Sequence, residues 1–275
     1  MCGIVGYVGA WNAAPVLLSG LSRLEYRGYD SAGIAVSDLR DGENRIEILK
    51  AKGRLQALKE MTDNGKAVSG TCGIGHTRWA THGEPSVANA HPHCSKDKRI
   101  VVVHNGIIEN YKELKEYLQK KGFVFQSETD TEVVAHLLDY YYKGNPLEAI
   151  ARALGRIRGS YALGILFKDQ PGKIYAVRKD SPLIIGRSEN GNFIASDVPA
   201  ILKYTKNVCY ISDMEIAELT KDTITFYDVD QEVLEKEFRT VEWDAKSAAL
   251  PSARRCLLLT GTPKQRKRVA LSILC

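Results

Sequence analysis

The chain has 275 residues, 44% of them hydrophobic and 26% charged, a composition typical of a folded globular protein. It has no run of about 18 apolar residues and no basic and apolar leader, so we expect neither a membrane partner nor a secretory signal. The net charge of +5 depends on seven basic residues after residue 244; the rest of the chain has 31 basic and 33 acidic residues. We therefore expect a cytoplasmic protein without a specific nucleic-acid partner.

In chain order, the hydrophobic pattern predicts a strand at 2–8, a helix at 14–25, strands at 31–37 and 45–49, and a short helix at 55–61. Strands at 72–79 and 100–104 follow, and then helices at 111–121, 133–142 and 146–156. The last part predicts short strands at 162–167, 174–177, 183–186, 193–195, 208–211, 216–219 and 223–227, with one helical turn at 198–202. Many strands with helices clustered mid-chain favour a layered α+β fold.

The end of the chain differs from its body. Residues 245–275 contain no acidic residue and show no clear hydrophobic period. We therefore expect one domain at residues 2–244 and, after it, an anomalous basic tail from truncated or out-of-frame sequence.

The cysteines give no sign of a metal centre. All six are scattered, without a C-x-x-C pair. The run His91-Pro92-His93-Cys94 superficially resembles a metal-binding cluster, but it lacks a second half at zinc-type spacing. We expect no metal ion and no other cofactor.

Cys2 is the most informative residue. If the initiator Met1 is removed, Cys2 carries a thiol and an α-amine on the same Cα, with ordinary pKa values of ~8.5 and ~7.7–8.0. An N-terminal nucleophile of this kind can use its own amine as the base. The alternative is that Cys2 is a small, half-buried hydrophobic residue.

Four further residues, at three places in the chain, have two interpretations at each place. Arg78, at the end of a predicted strand, suits a ligand carboxylate or forms a surface salt bridge. Asn105 and Gly106 form either a common turn or an oxyanion hole made of a side-chain amide and a backbone N–H. Ser127 and Thr129 are expected to cap the helix that follows them. Asp130, near the start of that helix, either complements the helix dipole or holds a ligand ammonium.

Together these residues belong to motifs that resemble the class II glutamine amidotransferases. Within that family, they look most similar to the branch that transfers ammonia to fructose 6-phosphate. The motifs are CGIVGYVG from Cys2, YRGYDSAG from Tyr26, GHTRWATHGEP from Gly75, NAHPH from Asn89, HNGIIENY from His104 and SETDTE from Ser127. The resemblance extends from Cys2 to about Asp244.

The resemblance implies an N-terminal nucleophile hydrolase fold, a four-layer α-β-β-α sandwich with two antiparallel sheets. It implies hydrolysis of L-glutamine to glutamate and ammonia, with Cys2 as nucleophile and Asn105 with Gly106 as oxyanion hole. The implied substrate-binding residues are Arg78 for the α-carboxylate, Asp130 for the α-ammonium, and Trp79, Thr81 and His82 in a closing loop. Arg27 and His91 are implied as supporting residues.

The resemblance also implies partners beyond glutamine. Fructose 6-phosphate would be bound only by a C-terminal sugar isomerase half, which we expect to be absent here, so that ammonia is released without amino-sugar synthesis. Full-length family members are expected to be homodimers. Two alternatives stay open: the glutaminase domain of a phosphoribosylpyrophosphate-type amidotransferase, and a non-catalytic module that only binds glutamine. The runs YRGYD and RWATH favour the sugar branch over the first.

Overall fold

The computed structural model describes residues 2–80 and 83–242, apart from the side chain of Arg27. Its strands, in chain order, are β1 Gly3–Gly9, β2 Ser31–Arg40, β3 Glu43–Lys52, β4 Cys72–Arg78, β5 His93–Cys94, β6 Ile100–Ile108, β7 Gly159–Phe167, β8 Ile174–Lys179, β9 Ile184–Ser188, β10 Gly191–Ala195, β11 Asn207–Tyr210, β12 Ile216–Leu219, β13 Ile224–Tyr227, β14 Val233–Leu234 and β15 Arg239–Thr240. Its α-helices are α1 Ala13–Ser22, α2 Leu55–Met61, α3 Tyr111–Lys120, α4 Thr131–Tyr141 and α5 Pro146–Leu154.

These strands form two antiparallel sheets. The first has the order β15-β11-β9-β10-β1-β4-β2-β3, and the second has the order β14-β13-β12-β8-β7-β6-β5. In the first sheet β1 lies between β10 and β4, so the segment that follows Cys2 is interior. In the second sheet β6 is paired with β7 along its whole length.

A hydrophobic core lies between the two sheets. It combines Ile4 and Ile74 of the first sheet with Val101 and Val103 of the second, all fully buried. A second core joins the other face of the second sheet to α3, α4 and α5, and α1 packs on β1 and β4 of the first sheet. The order of layers is therefore helix, sheet, sheet, helix, because each sheet has two apolar faces to cover.

Most predicted elements are confirmed within a few residues, and three differences matter. The predicted strand 100–104 continues to Ile108, so Asn105 and Gly106 lie inside β6 rather than after it. Helix α4 begins at Thr131 with Asp130 as its N-cap residue and without a side-chain cap, so the expectation that Ser127 and Thr129 cap it is wrong. The two-residue strands β5, β14 and β15 were not predicted, because such short segments carry no periodic signal.

The described residues up to Thr240 belong to one unit, and a second begins at Val241. The expected boundary at residue 244 and the tail at 245–275 lie outside the described residues. In the part of the chain that the structure describes, no helix has the length and apolar character needed to cross a membrane.

Candidate functional site

Cys2 lies immediately before the interior strand β1, whose first residue Gly3 is paired with Thr77 in β4. The backbone N–H of Trp79 donates a hydrogen bond to Cys2 Sγ at 3.2 Å. Burial raises the pKa of the Cys2 thiol above its ordinary value, while the Trp79 N–H and the Arg78 charge oppose that shift. The thiol is thus held at the end of β4, where two groups favour its ionised form.

Asn105 brings a carboxamide from the second sheet to Cys2. Its Nδ2 donates to the Cys2 carbonyl oxygen at 3.3 Å. Gly106 follows with a φ of +127°, and a Cβ there would lie 2.1 Å from the Ser160 carbonyl oxygen of β7. Only glycine fits this position. The turn interpretation of Asn105-Gly106 is therefore wrong, since both residues belong to a paired strand.

Arg78 and Asp130 are both buried. Arg78 is 4% exposed at the end of β4, and its Nη2 donates to the Gly83 carbonyl oxygen at 3.2 Å. The interpretation of Arg78 as a surface salt bridge is therefore wrong. Asp130 is 6% exposed, and its Oδ2 accepts from the Ile108 N–H of β6 at 2.8 Å. The acid is thereby linked to the strand that carries Asn105 and Gly106.

The loop after β4 is only partly described. Trp79 is 53% exposed, and Gly28 lies against its ring, where a Cβ would be 2.5 Å from Trp79 Cζ3. This contact joins the YRGYD run to the loop, a link that sequence motifs alone do not reveal. Thr81, His82 and the side chain of Arg27 lie outside the described residues.

Three buried histidines, His76, His91 and His104, lie next to Asn105 or contact one another. The rings of His91 and His76 are stacked with centroids 4.1 Å apart. His91 Nδ1 accepts from the His104 N–H at 3.3 Å, and its Nε2 is 3.3 Å from Thr131 Oγ1. Burial lowers the pKa of His91 well below its usual value, so the neutral ring carries its proton on Nε2 and donates to Thr131. His91 thus connects β4, β6 and the start of α4.

Sequence reasoning missed His76 and Glu132. His76 is fully buried in the middle of β4, and its Nε2 is 2.9 Å from Asn105 Oδ1. A histidine that directly follows the apolar run at 72–75 of a predicted strand was the available signal. Glu132 accepts hydrogen bonds from the backbone N–H groups of Gln126 and Ser127, both at 2.7 Å. These bonds fix the loop that leads to Asp130.

Among the described residues, no group of three His, Cys, Asp or Glu side chains is arranged to hold a metal ion. The site consists instead of a thiol, two amide-type donors, a guanidinium and a carboxylate. Such a set can bind a zwitterionic amino acid and stabilise an oxyanion during acyl transfer.

Comparison with known proteins agrees with this chemistry. Residues 76–203 match the family model of a glutamine amidotransferase domain. The chain is 56% identical over 248 residues to glutamine–fructose-6-phosphate aminotransferase [isomerizing] of Clostridium acetobutylicum, which covers 90% of this chain and 40% of that protein. It is 58% identical, with the same coverage, to the protein of that name from Caldanaerobacter subterraneus. The chain thus spans about two-fifths of the length of these relatives.

Solved structures extend the comparison to the fold. Glutamine phosphoribosylpyrophosphate amidotransferase from B. subtilis, complexed with ADP and GMP, superposes with a TM-score of 0.72 and 25% identity over 84% of this chain and 50% of that one. A structure described as the allosteric regulatory enzyme of purine biosynthesis gives a TM-score of 0.70 and 26% identity over the same shares.

These neighbours and the two antiparallel sheets confirm the predicted N-terminal nucleophile hydrolase sandwich. The chain therefore carries a glutamine amidotransferase domain of the kind found in the glutamine–fructose-6-phosphate aminotransferases.

Proposed function

We propose that this chain hydrolyses L-glutamine to L-glutamate and ammonia, with Cys2 as the nucleophile. The hydrogen bond from Asn105 Nδ2 to the Cys2 carbonyl oxygen carries the proposal. An amide nitrogen has two hydrogens, so Asn105 can donate to Cys2 and to a bound oxygen at the same time. The Asn105 amide on β6 of the second sheet therefore lies beside Cys2, which directly precedes β1 of the first sheet.

The first half of the reaction forms a thioester. With Met1 removed, the α-amine of Cys2 takes the thiol proton and the thiolate attacks the side-chain carboxamide carbon of glutamine. Negative charge develops on the carbonyl oxygen, where Asn105 Nδ2 and the Gly106 N–H stabilise it. The protonated amine then gives its proton to the leaving nitrogen, and ammonia departs.

The second half returns the free enzyme. The α-amine takes a proton from water, and the resulting hydroxide adds to the thioester carbonyl. The second tetrahedral intermediate collapses with loss of the thiolate, which is reprotonated, and glutamate leaves. One water is consumed for each glutamine, and no oxidant, metal or cofactor enters the balance.

Binding and orientation are assigned to the remaining site residues. The Arg78 guanidinium pairs with the α-carboxylate of glutamine, and Asp130 with its α-ammonium. The positions of the two groups support this assignment, because the Arg78 charge acts on the Cys2 thiol and Asp130 is hydrogen-bonded to β6, the strand that carries Asn105. Trp79, Thr81 and His82 form the loop that closes over the substrate, and Arg27 and His91 support the site.

The relatives point to the use of the ammonia. Their name states an aminotransfer from glutamine to fructose 6-phosphate. We propose that the domain, at residues 2–244, supplies ammonia for that amination in the cytoplasm and that full-length carriers of this domain are homodimers. The chain is 56–58% identical to these relatives and 25–26% identical to the two structural neighbours. This difference supports fructose 6-phosphate as the acceptor over the phosphoribosylpyrophosphate-type alternative.

The first prediction tests the nucleophile. Purified protein with Cys2 identified as its terminal residue by mass spectrometry is expected to release glutamate from L-glutamine. Cys2→Ala is expected to lower kcat by at least about 10⁴-fold, because no other group replaces the thiolate. Glutamine binding to Cys2→Ala, followed by calorimetry, is expected to persist.

Cys209→Ala is the matched control, since Cys209 is a buried thiol in β11 of the first sheet. It is expected to retain its kcat. A wild-type protein that binds glutamine without turnover despite a terminal Cys2 would support the non-catalytic module instead.

A further inference from the structure

His76 and Asn105 form a buried contact between the two sheets. His76 Nε2 lies 2.9 Å from Asn105 Oδ1, and the His76 side chain is fully buried. His76 comes from β4 of the first sheet and Asn105 from β6 of the second. The contact therefore fixes the oxyanion-hole side chain to the strand that ends at Arg78.

The chemistry of the two groups determines the direction of this hydrogen bond. A carboxamide oxygen only accepts, so His76 Nε2 must carry the proton. Burial lowers the pKa of His76 to about 3, so the ring stays neutral near pH 7 and has a single N–H. That N–H is directed at Asn105.

A carboxamide has two orientations that differ by a half turn. In the observed one, Nδ2 faces the Cys2 carbonyl oxygen and Oδ1 faces His76. In the reversed one, Oδ1 would face the Cys2 carbonyl oxygen, which is a repulsive contact. Nδ2 would then face either the His76 Nε2–H, a second repulsive contact, or, if the ring proton moved, a ring whose buried Nδ1–H has no hydrogen-bond partner among the described residues. Buried groups without compatible partners cost free energy, so the histidine selects the orientation that presents a donor to the substrate.

The His76 ring is itself held in place. His91 stacks on it with an interplanar angle of 16°, and His91 is held by the His104 N–H and by Thr131. A side chain with locked neighbours positions a catalytic group better than a mobile one does.

We propose that His76 is a positioning residue of the oxyanion hole, which holds the Asn105 carboxamide with Nδ2 toward Cys2; this inference rests on the proposed glutaminase function. His76 acts through Asn105 and touches neither the thiol nor the substrate. Its contribution therefore belongs to the transition state, where the oxyanion exists, and not to the binding of glutamine.

The second prediction follows from this difference. His76→Phe keeps a ring for the stack on His91 and removes the donor. Its kcat is expected to fall about 10- to 100-fold with an unchanged KM, less than the ~10²–10³-fold typical of deleting an oxyanion donor outright. His76→Gln places an amide N–H near the former Nε2, and it is expected to recover kcat to within several-fold of wild type.

Tyr142→Phe is the matched control. It also keeps a buried ring and loses one donor, here the bond from the Tyr142 hydroxyl to Asp169 on the helix side of the second sheet. It is expected to lower the melting temperature without changing kcat. Equal kcat in wild type and His76→Phe would overturn the inference.

A double-mutant cycle separates positioning from general damage. In an Asn105→Ala background, His76→Phe is expected to have no further effect on kcat, because the group it positions is gone. Full additivity of the two losses would contradict the inference. Absence of glutamate release by wild type is a different failure, since it refutes the proposed function itself.

A measurement on the wild-type protein avoids any folding defect of the variants. Long-range ¹⁵N–¹H NMR spectra of histidine report which ring nitrogen carries the proton, and His76→Gln assigns the signal. The expected state at pH 7 is a neutral His76 with its proton on Nε2. A neutral ring with its proton on Nδ1 would overturn the inference.

Discussion

At the residue scale, Gly106 shows how local conformation determines which residue a site can use. Its φ of +127° is unfavourable for residues with a side chain, and the Ser160 carbonyl oxygen occupies the space of a Cβ. Backbone cannot move aside as a flexible side chain does. The absence of a side chain also lets a ligand oxygen approach the Gly106 N–H, which is the role proposed for it.

The third prediction is that Gly106→Ala loses both stability and activity. The free energy of unfolding is expected to fall by about 2–4 kcal/mol, because strain at a positive φ adds to a clash with backbone. kcat is expected to fall at least ~10²-fold as the N–H shifts. Urea denaturation and the glutamate assay measure the two effects.

Gly122→Ala is the control for strain alone, since Gly122 has a φ of +88° and nothing within 4 Å of an added Cβ. Gly122→Ala is expected to lower the free energy of unfolding by about 1 kcal/mol and to leave kcat unchanged. Equal losses of unfolding free energy in Gly106→Ala and Gly122→Ala would mean that the contact with Ser160 adds nothing to the strain at a positive φ.

At the element scale, α4 and the loop before it behave as one piece. Glu132, the second residue of α4, accepts the Ser127 hydroxyl at 2.6 Å as well as two backbone N–H groups. Despite burial, which raises the pKa of carboxyl groups, these bonds and His136 lower that of Glu132 to about 2. The carboxylate therefore ties the loop before the helix to the first turn of α4, next to Asp130.

The fourth prediction concerns Glu132→Gln, which cannot accept as many strong hydrogen bonds as a carboxylate. The free energy of unfolding at pH 7 is expected to be about 1–3 kcal/mol lower in the variant than in wild type. The KM for glutamine is expected to rise, because Asp130 is less well held. The folded pKa lies below the ordinary value of 4.5, so the stabilisation is complete above pH 4.5 and is lost as the pH falls toward 2. Urea titrations at pH 7 and pH 3 measure the free energy of unfolding of both proteins, and the difference between wild type and Glu132→Gln is expected to be smaller at pH 3.

Glu148→Gln serves as the comparison, since Glu148 forms a largely exposed ion pair with Arg152 on α5. Its effect is expected to stay within about 0.5 kcal/mol. A pH-independent difference between wild type and Glu132→Gln would contradict the role of the ionised carboxylate.

At the scale of the whole described unit, the candidate site is built from two sheets that pack closely against each other. Ile194 of β10 lies opposite Gly6 of β1, and a Cβ on Gly6 would be 2.5 Å from its Cγ1. A Cβ on Gly164 of β7, in the other sheet, would be 2.8 Å from Ile194 Cδ1. Ile194 thus fills the space between two glycines from opposite sheets.

The fifth prediction is that Ile194→Ala lowers the free energy of unfolding by about 2–5 kcal/mol, since it leaves a cavity in a core that cannot easily collapse. Val124→Ala, at a side chain that is 78% exposed, is expected to change it by less than about 0.5 kcal/mol. Urea midpoints at an unchanged slope measure both values. A small effect at Ile194 would mean that the sheets move together to close the gap.

The sequence by itself determined the local structure and the types of groups available for chemistry. Hydrophobic periodicity located most helices and strands, because a buried face imposes its spacing on the residues that form it. The ordered motifs led to the amidotransferase resemblance and to Cys2, Arg78, Asn105 and Asp130 as candidates. Their assigned roles remain predictions for the experiments above.

Only the tertiary structure decided which of these groups meet. Asn-Gly is compatible with a turn, and the pairing of β6 with β7 along its full length made it part of a strand instead. Arg78 is buried at the end of β4 and donates to the Gly83 carbonyl oxygen, and His76 reaches Asn105 only because the two sheets pack face to face. Contacts between residues far apart in the chain depend on strand order and sheet packing, and no local pattern of residues encodes either.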